Sequence, residues 1–393
     1  YNMADTFYVG RTSDPYMVAG VSLILPVFNL LICISNLAGV GGGTLLSRLL
    51  GQGREAEARR ASCFSFYLCM VCALSFSLVM LYFMDPLLGV LGAGIHTWRY
   101  AKEYALCVIC LGGVPTVFSN VAANLVRSSG LSRQAGLGIT LGGLLNIALD
   151  PLFMFVLLPE GNEVLGVGIA TFLSNCAVCV YFLIVLHRIR SRAPLTLNPR
   201  VGRAEPASVR AIFAVGLPAA LTMLLFDVDY MVIDRLMSAH SDLALAAIGI
   251  VLKVERLPLN VGIGICQGMI PLVAYNYASK NYRRMDGATR YSLILGLLVA
   301  AASILLYELF APYFIRFFMK DAQTAALATG YLRIRVLATP LMFLCFFTVH
   351  LFEAYGRGNI SLLLGVVRWA VFNIPLLLLL DRRFGEQGVI FTQ

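Results

Sequence analysis

Two acidic residues stand inside apolar stretches of this 393-residue chain, Asp5 near its beginning and Asp150 further into its first half. A charged side chain at the centre of a membrane costs roughly 3 kcal/mol or more, so each acid needs a partner, a bound proton or a water-filled pocket. Ionisable residues in such segments are rare and usually functional. Asp5 and Asp150 are therefore the first candidates for chemistry.

Asn146 lies four residues before Asp150, which places both side chains on one face of a helix. Pro151 follows and locally weakens the backbone hydrogen bonding. Amide and carboxylate oxygens suit a hard cation such as Na+, and a carboxyl group withdrawn from water can instead carry a proton at neutral pH. The pattern predicts cation coupling at Asp5, Asn146 and Asp150. The alternative is a paired contact that only pins two helices together.

Two further acids, Asp227 and Asp229, stand on a later apolar stretch and point to different faces because they are two residues apart. At least one of them is a candidate to bind a cationic substrate. The alternative is that they pair with basic neighbours, namely Arg235, Lys253 or Arg256.

Methionine and aromatic residues also occur in these stretches, among them Met223 and Phe153. Methionine repacks easily and aromatic faces attract cations, so these side chains are candidates for an adaptable substrate-binding surface. The alternative for each is ordinary helix packing or contact with lipid.

The elements that carry these residues are predicted to be membrane helices. Hydrophobic residues make up 59% of the chain and charged residues 13%, against about 45–50% and about 25% in soluble domains. The net charge of +9 does not indicate nucleic-acid binding, because basic residues of membrane proteins collect in cytoplasmic loops. We therefore expect no nucleic-acid partner, and membrane lipids around the protein.

Apolar stretches long enough to span a bilayer recur along the whole chain. They fall at 1–11 (partial), 16–46, 61–84, 100–126, 134–158, 164–188, 208–234, 243–275, 288–311, 327–354, 360–380 and 388 onward (partial). The predicted fold class is an all-α polytopic membrane protein with twelve transmembrane helices in two six-helix lobes, the first and last helices being incomplete. The lobes are predicted at 1–188 and 208–393, with a basic cytoplasmic linker at 189–207.

Basic residues set the predicted orientation. They concentrate in the linker and in the joints after every second helix, including Arg54, Arg127 and Arg284. The positive-inside bias places these joints in the cytoplasm, and both termini with them. The linker is interpreted as a topology signal and tether, with binding to anionic lipid headgroups as the alternative.

The two halves of the chain repeat one pattern. Matching positions are Asp5–Arg11 with Asp229–Arg235, Asn146 with Asn373, and the region of Thr171 with that of Thr392. Since six is an even number of helices, the copies start on the same side of the bilayer and are related by a pseudo-twofold axis along the membrane normal. Ile374 and Pro375 follow Asn373, so the counterpart of Asp150 is lost and coupling is expected mainly in the first lobe.

Six motifs are informative together, at Asp5–Arg11, Gly51–Gly53, Val126–Gly130, Asn146–Phe153, Gly216–Pro218 and Gln267–Tyr277. They resemble the MATE family of multidrug and toxic compound extrusion antiporters, and most closely its DinF-like branch in bacteria and archaea. The Asn-x3-Asp-Pro-Leu-Phe block is the most specific of them. The match runs in order along essentially the whole chain.

The resemblance implies two six-helix lobes around a central cleft and the exchange of a cationic or amphipathic drug for H+ or Na+ by alternating access. It places the cation site at Asp5, Asn146, Asp150 and Thr171, with either Asn120 or Asn124 from the fourth helix. It also implies a monomer in the bacterial or archaeal plasma membrane, with small-molecule drugs as substrates and no cofactor besides the coupling ion.

Two other functions are compatible with membrane helices. A flippase for a lipid-linked precursor belongs to the same superfamily, but it typically has a strongly cationic central cavity, and the first-lobe acids argue against it. A membrane-embedded enzyme or receptor would need grouped catalytic residues or a soluble module, and neither occurs in the sequence. The phosphate-binding Gly-x4-Gly-Lys-Ser/Thr motif is also missing, which argues against an ATP-driven pump.

Overall fold

A computed structural model describes residues 5, 8–10, 12, 14–159, 161–190, 193–201, 203–318 and 321–392. Within these residues the chain is helical, without strands. It forms two compact units, Tyr1–Ala220 and Leu221–Gln393, each with its own apolar core.

The first unit begins with helical residues at 5 and 8–10 and continues through seven further helices. These are α1 (Pro15–Gly51), α2 (Glu55–Tyr82), α3 (Met84–Val90), α4 (Trp98–Ala105), α5 (Gly113–Ser128), α6 (Ser132–Leu152) and α7 (Glu163–Ile189). Short π-helical segments extend α4 through Leu106–Leu111 and α6 through Phe153–Leu157. A 3-10 turn at Pro199–Val201 follows in the linker.

The remaining helices continue into the second unit. They are α8 (Pro206–His240), α9 (Asp242–Ala278), α10 (Tyr282–Phe318), α11 (Ala322–Val336), α12 (Thr339–Ala354), α13 (Gly358–Gly365), α14 (Ile374–Phe384) and α15 (Glu386–Phe391). The π-helical segment Val366–Asn373 joins α13 to α14.

In the described part of the chain, eight helices are long and apolar enough to cross a membrane by themselves, and two bent pairs bring the number of spans to ten. The bends are 49° between α4 and α5 and 51° between α11 and α12. Counted with the first helical residues and α15, the bent pairs are the fourth and tenth of twelve segments. The two bends therefore lie at equivalent positions in the two halves of the repeat predicted from the sequence.

Proline and glycine explain the two bends. Gly112 separates the π-helical end of α4 from α5, and Pro115 lies in the first turn of α5. Pro340 lies in the first turn of α12, directly after α11 ends. Proline has no N–H to donate to the preceding turn, so the backbone hydrogen-bond ladder is interrupted where each pair bends.

Helix α1 carries the glycine-rich stretch noted in the sequence. Asp14 caps its start by accepting a hydrogen bond of 2.8 Å from the backbone N of Tyr16. Further along, Gly41 faces Gly216 and the carbonyl of Ile212 on α8, and a Cβ at either glycine would overlap the facing backbone. Small residues let the two helix backbones approach closely.

That contact places the first part of α8 in the first unit. The compact units divide between Ala220 and Leu221, just after Pro218 inside α8. The lobe boundary predicted from the sequence, at the linker 189–207, lies before this division and stays a prediction.

The linker is anchored to α2 over its described residues. The hydroxyl of Ser62 donates a hydrogen bond of 3.2 Å to the carbonyl of Pro194, and the hydroxyl of Tyr67 donates one of 3.1 Å to that of Leu197. Leu195 is buried in the core of the first unit. The described linker is therefore a packed part of this unit in addition to joining two helices.

Candidate functional site: a buried acid network

Asp5 is fully buried in the first unit. Its Oδ2 accepts a hydrogen bond of 2.7 Å from the hydroxyl of Tyr104 and one of 3.2 Å from the hydroxyl of Thr171. Tyr104 lies on α4 and Thr171 on α7. One carboxylate oxygen therefore ties the first helical residues to two other helices.

Asn146 and Asp150 are also fully buried, on one face of α6. The side-chain N of Asn146 donates a hydrogen bond of 3.0 Å to Oδ1 of Asp150 and another of 3.1 Å to the hydroxyl of Thr171. The amide and the hydroxyl thus connect the two acids. We call Asp5, Asn146, Asp150 and Thr171 the acid network.

Three oxygens of the acid network are buried and have no hydrogen-bond partner among the described residues: Oδ1 of Asp5, Oδ1 of Asn146 and Oδ2 of Asp150. None of the ion pairs found among the described residues includes either acid. Two carboxylates cannot both stay ionised in one buried site without a positive partner. The arrangement is suited to holding a proton or a small cation that prefers oxygen ligands.

Glycines on α7 let neighbouring helices approach the acid network. A Cβ at Gly168 would lie 2.9 Å from the Cβ of Cys107, in the π-helical extension of α4. A Cβ at Gly166 would lie 3.0 Å from the backbone of Phe153, where α6 changes to a π-helix. These close approaches bring α7, with Thr171, against the helices that carry Tyr104 and Asp150.

The two other candidates for the cation site, Asn120 and Asn124, lie on α5 and bond within that helix. The side-chain N of Asn120 donates to the carbonyl of Thr116 at 2.9 Å, and that of Asn124 donates to the carbonyl of Asn120 at 3.0 Å. Arg127 donates to Oδ1 of Asn124 at 3.0 Å. The fourth span reaches the acid network instead through Tyr104, on the other arm of its bend.

The second unit contains a reduced counterpart of the acid network. The side-chain N of Asn373 donates a hydrogen bond of 2.6 Å to Oδ1 of Asp229. This pairs the two residues that the repeat matches with Asn146 and Asp5. Leu377 lies four residues after Asn373, where the first unit has Asp150, and is buried. The hydroxyl of Thr392 bonds carbonyls of its own helix.

The predicted substrate-binding residues have varied surroundings. Asp227 forms an ion pair of 3.5 Å with Arg256, whose guanidinium lies 4.4 Å from the ring centroid of Tyr230. Met223 and Phe153 are half-buried, on α8 and in the π-helical extension of α6 respectively. Both predicted substrate acids, Asp227 and Asp229, therefore have protein partners within the second unit.

Comparison with known proteins decides the family. The family model MatE matches residues 1–152 and 218–379, which is most of the chain. The chain belongs to the MatE family. Members of this family are transporters, so the predicted class of transporter rather than enzyme is confirmed. The DinF-like branch stays a prediction.

Relatives match this MatE protein along its full length. The multidrug export protein MepA of Staphylococcus haemolyticus is 28% identical over 393 residues, covering 100% of this chain and 85% of the relative. MepA from a Staphylococcus aureus strain is 27% identical over 392 residues, with the same coverage. A crystal structure of MATE in complex with MaL6 has a TM-score of 0.93 and 24% identity, covering 100% of this chain and 87% of that one. The structural likeness confirms the predicted all-α polytopic fold class.

Two polar features of this MatE protein were not predicted from the sequence. One is Tyr104, whose hydroxyl bonds Asp5. The other is a buried ion pair in the second unit, in which Arg335 donates two hydrogen bonds to Glu255, at 2.7 and 2.9 Å, and the hydroxyl of Tyr230 donates a third at 3.0 Å. The sequence shows these side chains only as polar residues within apolar stretches. That pattern does not reveal which residues of other helices they contact.

Proposed function

We propose that this protein is a secondary active multidrug exporter that releases cationic or amphipathic drugs in exchange for H+ or Na+ by alternating access. The drug-export part is supported by membership in the MatE family and by relatives that are named multidrug export proteins. The exchange part is supported by the acid network. We further place the protein in a bacterial or archaeal plasma membrane, as a monomer with both termini in the cytoplasm.

The observation that carries the coupling proposal is the link between the two buried acids. Asp5 and Asp150 are linked through Thr171 and Asn146, while Oδ1 of Asp5 and Oδ2 of Asp150 have no hydrogen-bond donor among the described residues. Uptake of a cation neutralises one of the two charges in a medium of low dielectric constant, where charge interactions are strong. Because the acid network draws on α6, α7 and the first helical residues, its cation occupancy changes the packing of the first unit.

The free energy available from one coupling ion is sufficient for drug export. A membrane potential of about 150 mV supplies roughly 3.5 kcal/mol per elementary charge. At about 1.4 kcal/mol for each tenfold change, that sustains a drug gradient of a few hundredfold. One acid network that binds one ion per cycle is therefore enough.

For the substrate, we propose that Asp227 and Asp229, with Met223 and Phe153, contribute to drug binding. A cationic drug at Asp227 must compete with Arg256, which pairs with that carboxylate at 3.5 Å. Methionine and aromatic side chains tolerate varied drug shapes because they repack and offer polarisable faces.

Purified protein in liposomes tests the proposal. Transport of ethidium and of a fluoroquinolone is measured under separately imposed pH and Na+ gradients. The proteins compared are wild type, Asp150→Asn and the control Asp286→Asn, whose exposed side chain lies on α10. We expect one of the two gradients to drive export by wild type and by Asp286→Asn, and export by Asp150→Asn to fall at least about tenfold. Undiminished gradient-driven export by Asp150→Asn would remove this acid from coupling. Lipid flipping by wild type without drug transport would instead identify a flippase.

A further inference from the structure

Arg368 is a cation in the interior of an apolar span. It lies in the π-helical segment Val366–Asn373, near the middle of the span Gly358–Phe384. A charged residue at this depth is costly and normally faces a partner or a wet cavity. π-helical segments are uncommon and occur frequently at functional sites.

The hydrogen-bond acceptors that Arg368 contacts do not match its charge, although its guanidinium also lies 5.8 Å from the ring centroid of Trp369. One terminal nitrogen of its guanidinium donates to the sulfur of Cys345 at 3.2 Å, and the other donates to the sulfur of Met342 at 2.6 Å. Its Nε is buried and has no hydrogen-bond partner in the part of the chain that the structure describes. Thiol and thioether sulfurs are weak acceptors, whereas a guanidinium offers five N–H donors suited to a carboxylate or a phosphate.

Nearby acids of the second unit are bound by other residues. Asp229 accepts the hydrogen bond of 2.6 Å from Asn373, and both oxygens of Glu255 are bonded by Arg335. Asp229 and Arg368 line one small cavity, but none of the ion pairs among the described residues includes Arg368. The guanidinium therefore keeps unused capacity for an anion.

A cavity of about 570 Å³ lies next to this guanidinium, between α12 and the span of Arg368. Its walls are mainly apolar and include Leu344, Trp369 and Phe372. Arg368 is the one charged residue among the described residues that line it. The volume falls within the range of about 300–1,000 Å³ that is typical of sites for drug-sized molecules.

We infer that this cavity is a binding site for amphipathic organic carboxylates, with the carboxylate on the guanidinium of Arg368 and the apolar body against Trp369 and Phe372. A planar carboxylate matches the fork of a guanidinium with two parallel hydrogen bonds, and the aromatic walls accept a flat apolar body. Carboxylate-bearing drugs thereby become a substrate class of the exporter. That last step depends on the proposed function, whereas the binding site does not.

Trp369 provides a direct reporter, because the chain has two tryptophans, Trp98 and Trp369. In a Trp98→Phe background, Trp369 is the remaining tryptophan and lies in the wall of the cavity. The purified protein, without any ion gradient, is titrated with 6-bromo-2-naphthoate and with its uncharged methyl ester. Both ligands carry a bromine that quenches tryptophan fluorescence on contact. Absence of export in liposomes would leave this equilibrium measurement unaffected, so the two proposals fail separately.

We expect saturable quenching of Trp369, with the carboxylate binding about tenfold to a hundredfold more tightly than the ester, as charge-assisted hydrogen bonds imply. Arg368→Gln should reduce this preference to about onefold while ester binding persists, which also shows that the cavity is folded. Arg368→Lys keeps a charge without the planar fork and should retain part of the preference. The control Arg333→Gln, on α11, should match the parent.

Three results would overturn the inference. The first is equal binding of acid and ester by the parent protein. The second is a preference for the acid that survives Arg368→Gln, and the third is loss of that preference in Arg333→Gln. A lipid occupant is tested in nanodiscs with brominated phosphatidylglycerol. If this lipid quenches Trp369 and the naphthoate does not relieve the quenching, the cavity belongs to lipid. That result would likewise overturn the inference.

Discussion

Thr171 donates a hydrogen bond of 3.2 Å through its hydroxyl to Oδ2 of Asp5, while the same hydroxyl accepts one of 3.1 Å from the side chain of Asn146. Asn146 in turn bonds Asp150 at 3.0 Å. A single hydroxyl on α7 therefore stands between the two acids of the first unit. Its loss disconnects Asp5 from α6 without removing either carboxylate.

Replacing Thr171 with valine tests this connection, because valine keeps the shape but has no hydroxyl. We expect ion-driven drug export in liposomes to fall about tenfold to a hundredfold, equivalent to roughly 1.5–3 kcal/mol for one hydrogen bond to a charged group. Thr171→Ser keeps the hydroxyl and should retain most of the activity. Equal export by the valine and serine variants would show that the hydroxyl has no part in coupling.

Removing one partner of the buried ion pair between Arg335 and Glu255 should destabilise the second unit. Both side chains are almost fully buried, so Arg335→Met leaves an uncompensated carboxylate and should destabilise the fold by about 3–5 kcal/mol. Thermal unfolding in detergent measures this change. The double variant Arg335→Met with Glu255→Leu should recover much of the loss, since replacing both partners with apolar residues is often tolerated.

The matched control is the exposed pair of Arg333 and Glu308, 3.7 Å apart. Arg333→Met should change stability by only about 0–1 kcal/mol, because solvent screens an exposed pair. A similar loss in both arginine variants would contradict the assignment of a special role to the buried pair.

The contact between α1 and α8 depends on glycine. Gly216→Ala places a Cβ against the carbonyl of Leu37, and backbone cannot move aside as a flexible side chain can. We expect a loss of about 1–3 kcal/mol in stability, as for other overpacked sites. Gly136→Ala on α6 meets nothing within 4 Å and should be neutral or slightly stabilising. Comparable thermal unfolding of the two alanine variants would argue against close packing at Gly216.

Removing Arg256 tests the substrate role of Asp227. Because the guanidinium pairs with that carboxylate at 3.5 Å, Arg256→Gln should favour a cationic drug and lower the half-saturating ethidium concentration by about twofold to fivefold, as expected for a partly exposed ion pair. An uncharged substrate should show little change. A shift of the same size for both substrates would indicate a general change in structure instead.

The sequence by itself determined the class and the order of the elements. The apolar stretches predicted the observed spans to within a few residues at most ends, because a bilayer fixes both the length and the polarity of a crossing segment. The spacing of Asn146 and Asp150 placed both on one helix face, since that depends only on the helical period. The loss of an acid after Asn373 was equally visible, and buried Leu377 occupies the position.

Only the tertiary structure decided which polar groups meet. Tyr104 reaches Asp5 because α4 bends away from α5 and packs on α7, while Asn120 and Asn124, on the other arm of that bend, bond within their own helix. Contacts between helices depend on rotation about each helix axis and on the close approaches that glycines permit, and neither is encoded in the periodicity of one segment. For the same reason the unused donors of Arg368 became visible only once its neighbours were in place.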